Sequence, residues 1–162
     1  MSDEDWRLWR AFSSMNRSLA REIDRQLQHD AGISNADYSV LITLFDATER
    51  RLRTGELADL LSWEKSRVSH QIARMEARGL VERSECSEDG RGTWVALTPD
   101  GRRATLGATR AHGAKLREVF FDVLDDDEKA AFRRGVTRVL DRMNPVACDV
   151  AAEVFGEDAV RA

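Results

Sequence analysis

The sequence predicts a mainly α-helical fold carrying one small β-hairpin, on three observations. Apolar residues recur at spacings of three and four through most of the chain, the period of helices that bury one face. Between positions 54 and 79 two such patterns are short and separated by only a few residues. Directly after them the period drops to two on both sides of Asp89-Gly90, a dipeptide suited to a tight hairpin turn. Together these give a helix-turn-helix followed by a hairpin wing, with longer helices before and after.

The first helix is expected over 5–28, where Trp9, Phe12, Leu19, Ile23 and Leu27 fall near helical spacing and Trp6 widens the apolar face. Gly32 ends it. Ser34 with Asp37 three residues on is a capping-box pattern, so a second helix should run to about position 47. Its apolar residues Tyr38, Val40, Leu41, Leu44 and Phe45 would pack beneath the wing-bearing unit. Arg50, Arg51 and Arg53 form a charged connector, for which phosphate contact and plain solvation are equally good readings.

Thr54 is expected to cap a short third helix through its hydroxyl, with Leu57, Leu60 and Leu61 on one face. Ser62 and Trp63 turn the chain. From Lys65 the pattern restarts with Val68, Ile72 and Met75, and Gly79 supplies a left-handed stop. The opposite face of this fourth helix carries Ser66, Arg67, Ser69, His70 and Arg74, hydroxyls and cations of the kind that read base edges or hold phosphates in a major groove. Strands are expected over 80–85 and 93–97, with Arg91 at the hairpin tip, where an arginine can enter a narrow minor groove. Each arginine taken singly reads better as a solvated surface charge than as a DNA contact; the ordered combination carries the signal.

Thr98-Pro99-Asp100 is a strong helix start: threonine caps, proline fits the first turn, and aspartate suits the positive helix end. This helix should run to about Leu124, its first part rich in small residues and its end bulkier at Leu116, Val119, Phe120 and Val123. The acidic run 125–128 opens a last helix whose Phe132, Val136, Val139, Leu140 and Met143 form a stripe, and Asn144-Pro145 closes it. Val150, Val154 and Phe155 in the remaining tail fit a short added helix or a plain terminus.

On these residues the sequence resembles the MarR (multiple antibiotic resistance regulator) family of winged-helix transcription factors. The matching features are LADLL, the hydrophobic spacing of KSRVSHQIARMEARGLVER, and Asp89-Gly90-Arg91 followed by Val95-Ala96-Leu97-Thr98-Pro99-Asp100-Gly101, the most specific run. The resemblance implies that Asp89 and Arg91 shape the wing tip and its minor-groove contact. It also implies that the first and last helices of two chains interlock as a dimer, and that a small molecule binds in a crevice between those helices and the winged part. Trp9, Phe12, Tyr38 and His112 are the candidate crevice lining, since aromatics give apolar contact and Tyr or His can orient a polar group, although each also suits an ordinary core. Two positions depart from the family pattern: Ser62 stands where a turn glycine is common, and Glu64 where the helix usually has a serine or threonine cap.

Composition narrows the classes. No apolar stretch approaches the length needed to cross a bilayer and the first ten residues are acidic, so a cytoplasmic protein without a membrane partner is expected. Cys86 and Cys148 lie far apart, which suggests neither a disulfide framework nor a zinc site and leaves inert thiols as the default. His29, His70 and His112 are widely separated, so no metal is expected; no phosphate-cradling glycine loop or nucleophile elbow is present, so no cofactor, no catalytic residues and no enzyme activity are expected. The chain is slightly acidic, net −4, yet positions 50–117 carry 14 Lys and Arg against 9 Asp and Glu, so positive charge is concentrated around the helix-turn-helix.

The expected organisation is an N-terminal dimerisation helix at 1–33, a winged helix-turn-helix at 34–98, and C-terminal dimerisation helices with a tail at 99–162. The expected function is a homodimeric, sequence-specific regulator of transcription, a repressor tuned by an aromatic or amphipathic small-molecule effector and bound to a palindromic operator in double-stranded DNA. Ser66, Arg67, Ser69 and His70 are the base-reading candidates; Lys65, Arg74, Asp89 and Arg91 complete the DNA-binding set. The alternative is a helical protein-interaction or ligand-sensing module without specific DNA binding, which Glu64 and the net acidity favour.

Overall fold

The computed structural model describes residues 1–85 and 92–143. The readings made for Cys86, Asp89, Arg91, Cys148 and the segment from Asn144 onward lie outside the described residues. The elements, in order, are α1 (Asp3–Ala31), α2 (Asn35–Asp46), β1 (Arg51–Arg53), α3 (Thr54–Leu61), α4 (Lys65–Ala77), β2 (Val81–Glu85), β3 (Thr93–Leu97), α5 (Pro99–Leu116), one wide π-helical turn (Arg117–Phe121) and α6 (Asp126–Met143). The fold is mainly α with a small antiparallel sheet, a winged helix-turn-helix as expected.

Helix ends follow the sequence chemistry. α1 stops at Gly32, whose φ of 63° is the left-handed conformation that glycine adopts without strain. Ser34 and Asp37 cap α2 reciprocally: the Ser34 hydroxyl accepts from the Asp37 N–H at 3.0 Å and the Asp37 carboxylate accepts from the Ser34 N–H at 2.9 Å. Gly79, with φ 69°, ends the turn after α4, and the Leu80 N–H reaches back to the Met75 carbonyl at 3.0 Å. Thr98 caps α5 by accepting from the Gly101 N–H at 3.0 Å.

Three expectations are corrected. The connector at 50–53 is a third strand: β1 pairs with β3, giving the sheet order β1-β3-β2, and Leu52 is buried opposite Val95. A single apolar residue between two arginines is too short a pattern to announce a strand. Because the chain enters α3 from that strand, Thr54 already lies inside the helix and donates its hydroxyl to the Thr93 carbonyl at 3.2 Å, while the Glu56 carboxylate accepts from the Arg53 N–H at 2.6 Å. The long helix after the wing ends before Leu124: α5 widens into the π turn at Arg117, and Asp125 caps α6 separately by accepting from the Glu128 N–H at 2.8 Å.

One core joins α2, α3, α4, the sheet and the second half of α1. Leu27, Val40, Leu41, Leu44, Leu57, Val68, Ile72, Met75 and Val95 are fully enclosed in it. Gly101 explains part of the run that follows the wing. A Cβ there would lie 1.9 Å from the Leu80 carbonyl oxygen, so the backbones of α5 and of the turn after α4 can meet only at glycine. The Thr98 hydroxyl donates to the Gly79 carbonyl at 2.6 Å at the same junction, which fixes α5 to the end of α4.

Candidate nucleic-acid interface

α4 divides sharply into two faces. Val68, Gln71, Ile72 and Met75 are buried against α2 and α3, so Lys65, Ser66, Arg67, Ser69, His70 and Arg74 are left exposed on the other side. That is the arrangement the period-3.6 pattern dictates once one stripe enters a core. The entry to α4 is held by the turn at Ser62, a non-glycine residue with φ 52°. Glu64 occupies the N-cap without making a side-chain cap, as its departure from the family pattern suggests.

The polar side chains on this face are partly preset. The Arg67 guanidinium lies 3.8 Å over the Trp63 ring, a stacking contact that restrains its rotamers. Ser69 donates to the Lys65 carbonyl at 2.9 Å, which leaves its hydroxyl oxygen free to accept. A groove of about 580 Å³ opens between α4 and the base of the wing, and Arg53, Glu56, Asp59, Lys65, Ser69 and Arg83 are among its walls. Arg83 is held there by Glu76 across the α4–β2 corner, Nη2 to carboxylate 2.5 Å. On the sheet, Arg51 and Arg53 both lie over Trp94, at 4.5 and 5.3 Å. These two cations were left open in the sequence; the strand they share places them on one side of the sheet.

Beneath α4 sits a polar cluster that sequence reasoning missed. Asp37 is 3% exposed and Gln71 2% exposed. One carboxylate oxygen of Asp37 accepts from Gln71 Nε2 at 2.6 Å, and the other accepts from Arg78 at 2.8 Å and from Ser34. Arg78 also donates to the Gly32 carbonyl at 2.8 Å, and Arg74 donates to Gln71 Oε1. Burial pushes the Asp37 carboxyl up, but the Ser34 and Arg78 hydrogen bonds and the Arg78 charge outweigh it and hold the group below its ordinary 3.8. The one signal available was Asp37 in its capping pattern, which accounts for a single oxygen and says nothing of α4.

The four crevice candidates fall into two pairs. Tyr38 and His112 meet between α2 and α5 with ring centroids 4.5 Å apart, and the Tyr38 hydroxyl donates to Thr109 at 3.3 Å. His112 Nδ1 is buried with no hydrogen-bond partner among the described residues, and burial lowers the pKa of this histidine. Trp9 and Phe12 stack on each other at 6.0 Å on the exposed first half of α1. No ring contact joins the two pairs among the described residues.

Comparison with known proteins agrees with this geometry. A model of the MarR family matches residues 33–93. Sco3205, a MarR family transcriptional regulator from Streptomyces coelicolor whose structure was determined in complex with DNA, superimposes with a TM-score of 0.86 at 32% identity, covering 90% of this chain and 91% of that one. AbsC, a MarR family regulator from the same organism, gives 0.84 at 30% identity over 88% of this chain and 96% of its own. Among curated proteins, the HTH-type transcriptional regulator PrsX of Escherichia coli is 28% identical over 98 residues, 60% of this chain and 59% of PrsX, so the chain spans about three fifths of that relative's length.

Proposed function

From the premise that this chain belongs to the MarR family of transcriptional regulators, we propose that it is a homodimeric, sequence-specific DNA-binding repressor whose hold on DNA is tuned by a small molecule. The observation that carries the reading is the two-faced α4, clamped in the core on one side and presenting Lys65, Ser66, Arg67, Ser69, His70 and Arg74 on the other. Ser66, Arg67, Ser69 and His70 read base edges. Lys65, Arg74 and Arg91 contact phosphates or the minor groove, and Asp89 shapes the wing tip that carries Arg91. The DNA complex of Sco3205 supports DNA binding by a chain of this fold.

Dimerisation has its own physical support. α6 buries none of its side chains, and Phe132, Val136, Val139, Leu140 and Met143 all remain exposed, as do Trp6, Leu8, Trp9 and Phe12 of α1. On this reading residues 1–33 and 99–162 form the dimerisation part and 34–98 the DNA-binding unit. A twofold axis would set two copies of α4 into successive major grooves about 34 Å apart, which matches a palindromic operator. Among the described residues no helix is long and apolar enough to cross a membrane, in keeping with a cytoplasmic place of action. Tyr38 and His112 form the floor of the effector crevice, with Trp9 and Phe12 as further lining, and the ring surfaces suit an aromatic or amphipathic molecule.

The test is a salt titration of duplex binding. Affinity should fall steeply with salt, because cations held on phosphates release counterions. Arg91→Ala should lower affinity and the salt slope while the dimer survives. Binding that ignores salt would overturn the DNA reading and favour a protein-interaction or ligand-sensing role.

A further inference from the structure

We propose that Asp37, which no DNA could touch, is a positioning residue for DNA binding: it orients Gln71, which holds the Arg74 guanidinium in place on the exposed face of α4. The role rests on α4 being the DNA-facing helix and on Arg74 as a phosphate contact.

The reasoning turns on which groups can donate. An ionised carboxylate accepts hydrogen bonds only. Asp37 Oδ1 faces Gln71 at 2.6 Å, so the Gln71 amide must turn its NH2 inward. Its oxygen then points outward, and Arg74 donates to it. The polarity of a buried acid on α2 is thus passed through one amide to a cation on the surface of α4. Gln71 is 2% exposed, and its two amide ends are taken by Asp37 and Arg74, so the amide has little solvent to turn toward.

The other carboxylate oxygen anchors the same relay to the frame. Arg78 donates from Nη1 to Asp37 at 2.8 Å and from Nη2 to the carbonyl of Gly32, the residue that ends α1, also at 2.8 Å. Asp37 is further fixed by both the N–H and the hydroxyl of Ser34, each at 2.9 Å. Four donors on one buried carboxylate leave it a single position. A flexible arginine ordered before binding loses less side-chain freedom when it meets a phosphate, which is how a residue remote from DNA can add to affinity.

The experiment uses the full chain and a duplex recovered by selection from genomic fragments. Binding is measured across a salt series for the wild type, Arg74→Ala, Gln71→Met, Asp37→Asn and the Arg74→Ala/Gln71→Met double variant, with melting curves and dimer mass alongside. Gln71→Met keeps the volume and leaves the Asp37–Arg78 pair intact; Asp37→Asn keeps the shape but can donate, so Gln71 is free to turn over. The expected result is that both lower affinity about tenfold and reduce the salt slope by about one, as loss of one phosphate contact does, with the base preference of the selected duplex unchanged. The double variant should lose no more than Arg74→Ala alone. A merely structural role would leave the salt slope untouched, whatever happens to melting temperature or active fraction; an unchanged slope overturns the proposal, as do losses that add in the double variant. An Arg74→Ala protein that binds like the wild type overturns it while DNA binding itself stands. Failure of the wild type to bind any duplex would instead remove the functional reading beneath it.

Discussion

The helices around the sheet and the helical arms carry the same kind of pattern and meet opposite fates. In α2, α3 and α4 the apolar stripe is buried within the chain, with Leu41, Leu44, Leu57 and Ile72 fully enclosed. In α6 and the first half of α1 a stripe of equal regularity stays in water, with Leu140 52% and Trp9 56% exposed. Phe120, Phe121, Leu124, Phe132 and Val136 even line an open apolar groove of about 530 Å³. The difference teaches that periodicity reports a need for a partner, not where the partner is. The inner helices find theirs at short range in sequence. The arms are the surface proposed to meet a second copy of the chain.

The contrast is broken most severely at the junction that ties the core together. Gly101→Ala puts a methyl group against the Leu80 carbonyl, and the backbone there cannot step aside because Thr98 holds both Gly79 and Gly101. A loss of about 3 kcal/mol in chemical denaturation is expected, with Leu44→Ala in the same range through a cavity. Leu140→Asp should behave in the opposite way. Leu140 is 52% exposed on a helix with no buried residue, so the winged part should keep its fold, while the proposed dimer dissociates in sedimentation and the concentration dependence of melting disappears. Unfolding of the isolated chain by Leu140→Asp would show that the arms belong to the core after all.

Smaller effects sharpen the comparison through pH. Asp37 has a folded pKa below its ordinary 3.8, so its contribution to stability is complete above that value and is lost as pH falls through the lower folded value. Asp37→Asn should be less stable at neutral pH and lose less on acidification below about pH 4, read from denaturation curves at each pH. His112 is shifted down by burial from 6.5, so the neutral ring is the form that fits, and stability should decline as pH falls from 6.5 toward the folded value. His112→Phe should flatten that decline below about pH 6.5, a modest effect because the site is only half-buried.

What could be read beforehand follows the same division. Helix caps and the wing strands were legible because Ser34, Gly32, Gly79 and Thr98 act on groups a few residues away. β1 was not, because Leu52 is one apolar residue whose meaning comes from Val95 across the sheet. The exposed face of α4 was legible from spacing alone. The cluster of Asp37, Gln71 and Arg78 beneath it was not, since its members lie 34 and 41 positions apart and no local pattern links a capping aspartate to an amide on another helix. Likewise, the family resemblance and aromatic chemistry could nominate Trp9, Phe12, Tyr38 and His112 together, but only the packing of α2 on α5 shows which two of them meet.

The most direct test of the central claim is selection of duplex from a pool of genomic fragments by the purified full chain at near-physiological salt, with the number of chains per bound fragment measured on the same complexes. A shared palindrome with half-sites about one helical turn apart, bound by two chains, is the predicted result. Fragments without common sequence, or one chain per fragment, would contradict a dimeric reader of DNA.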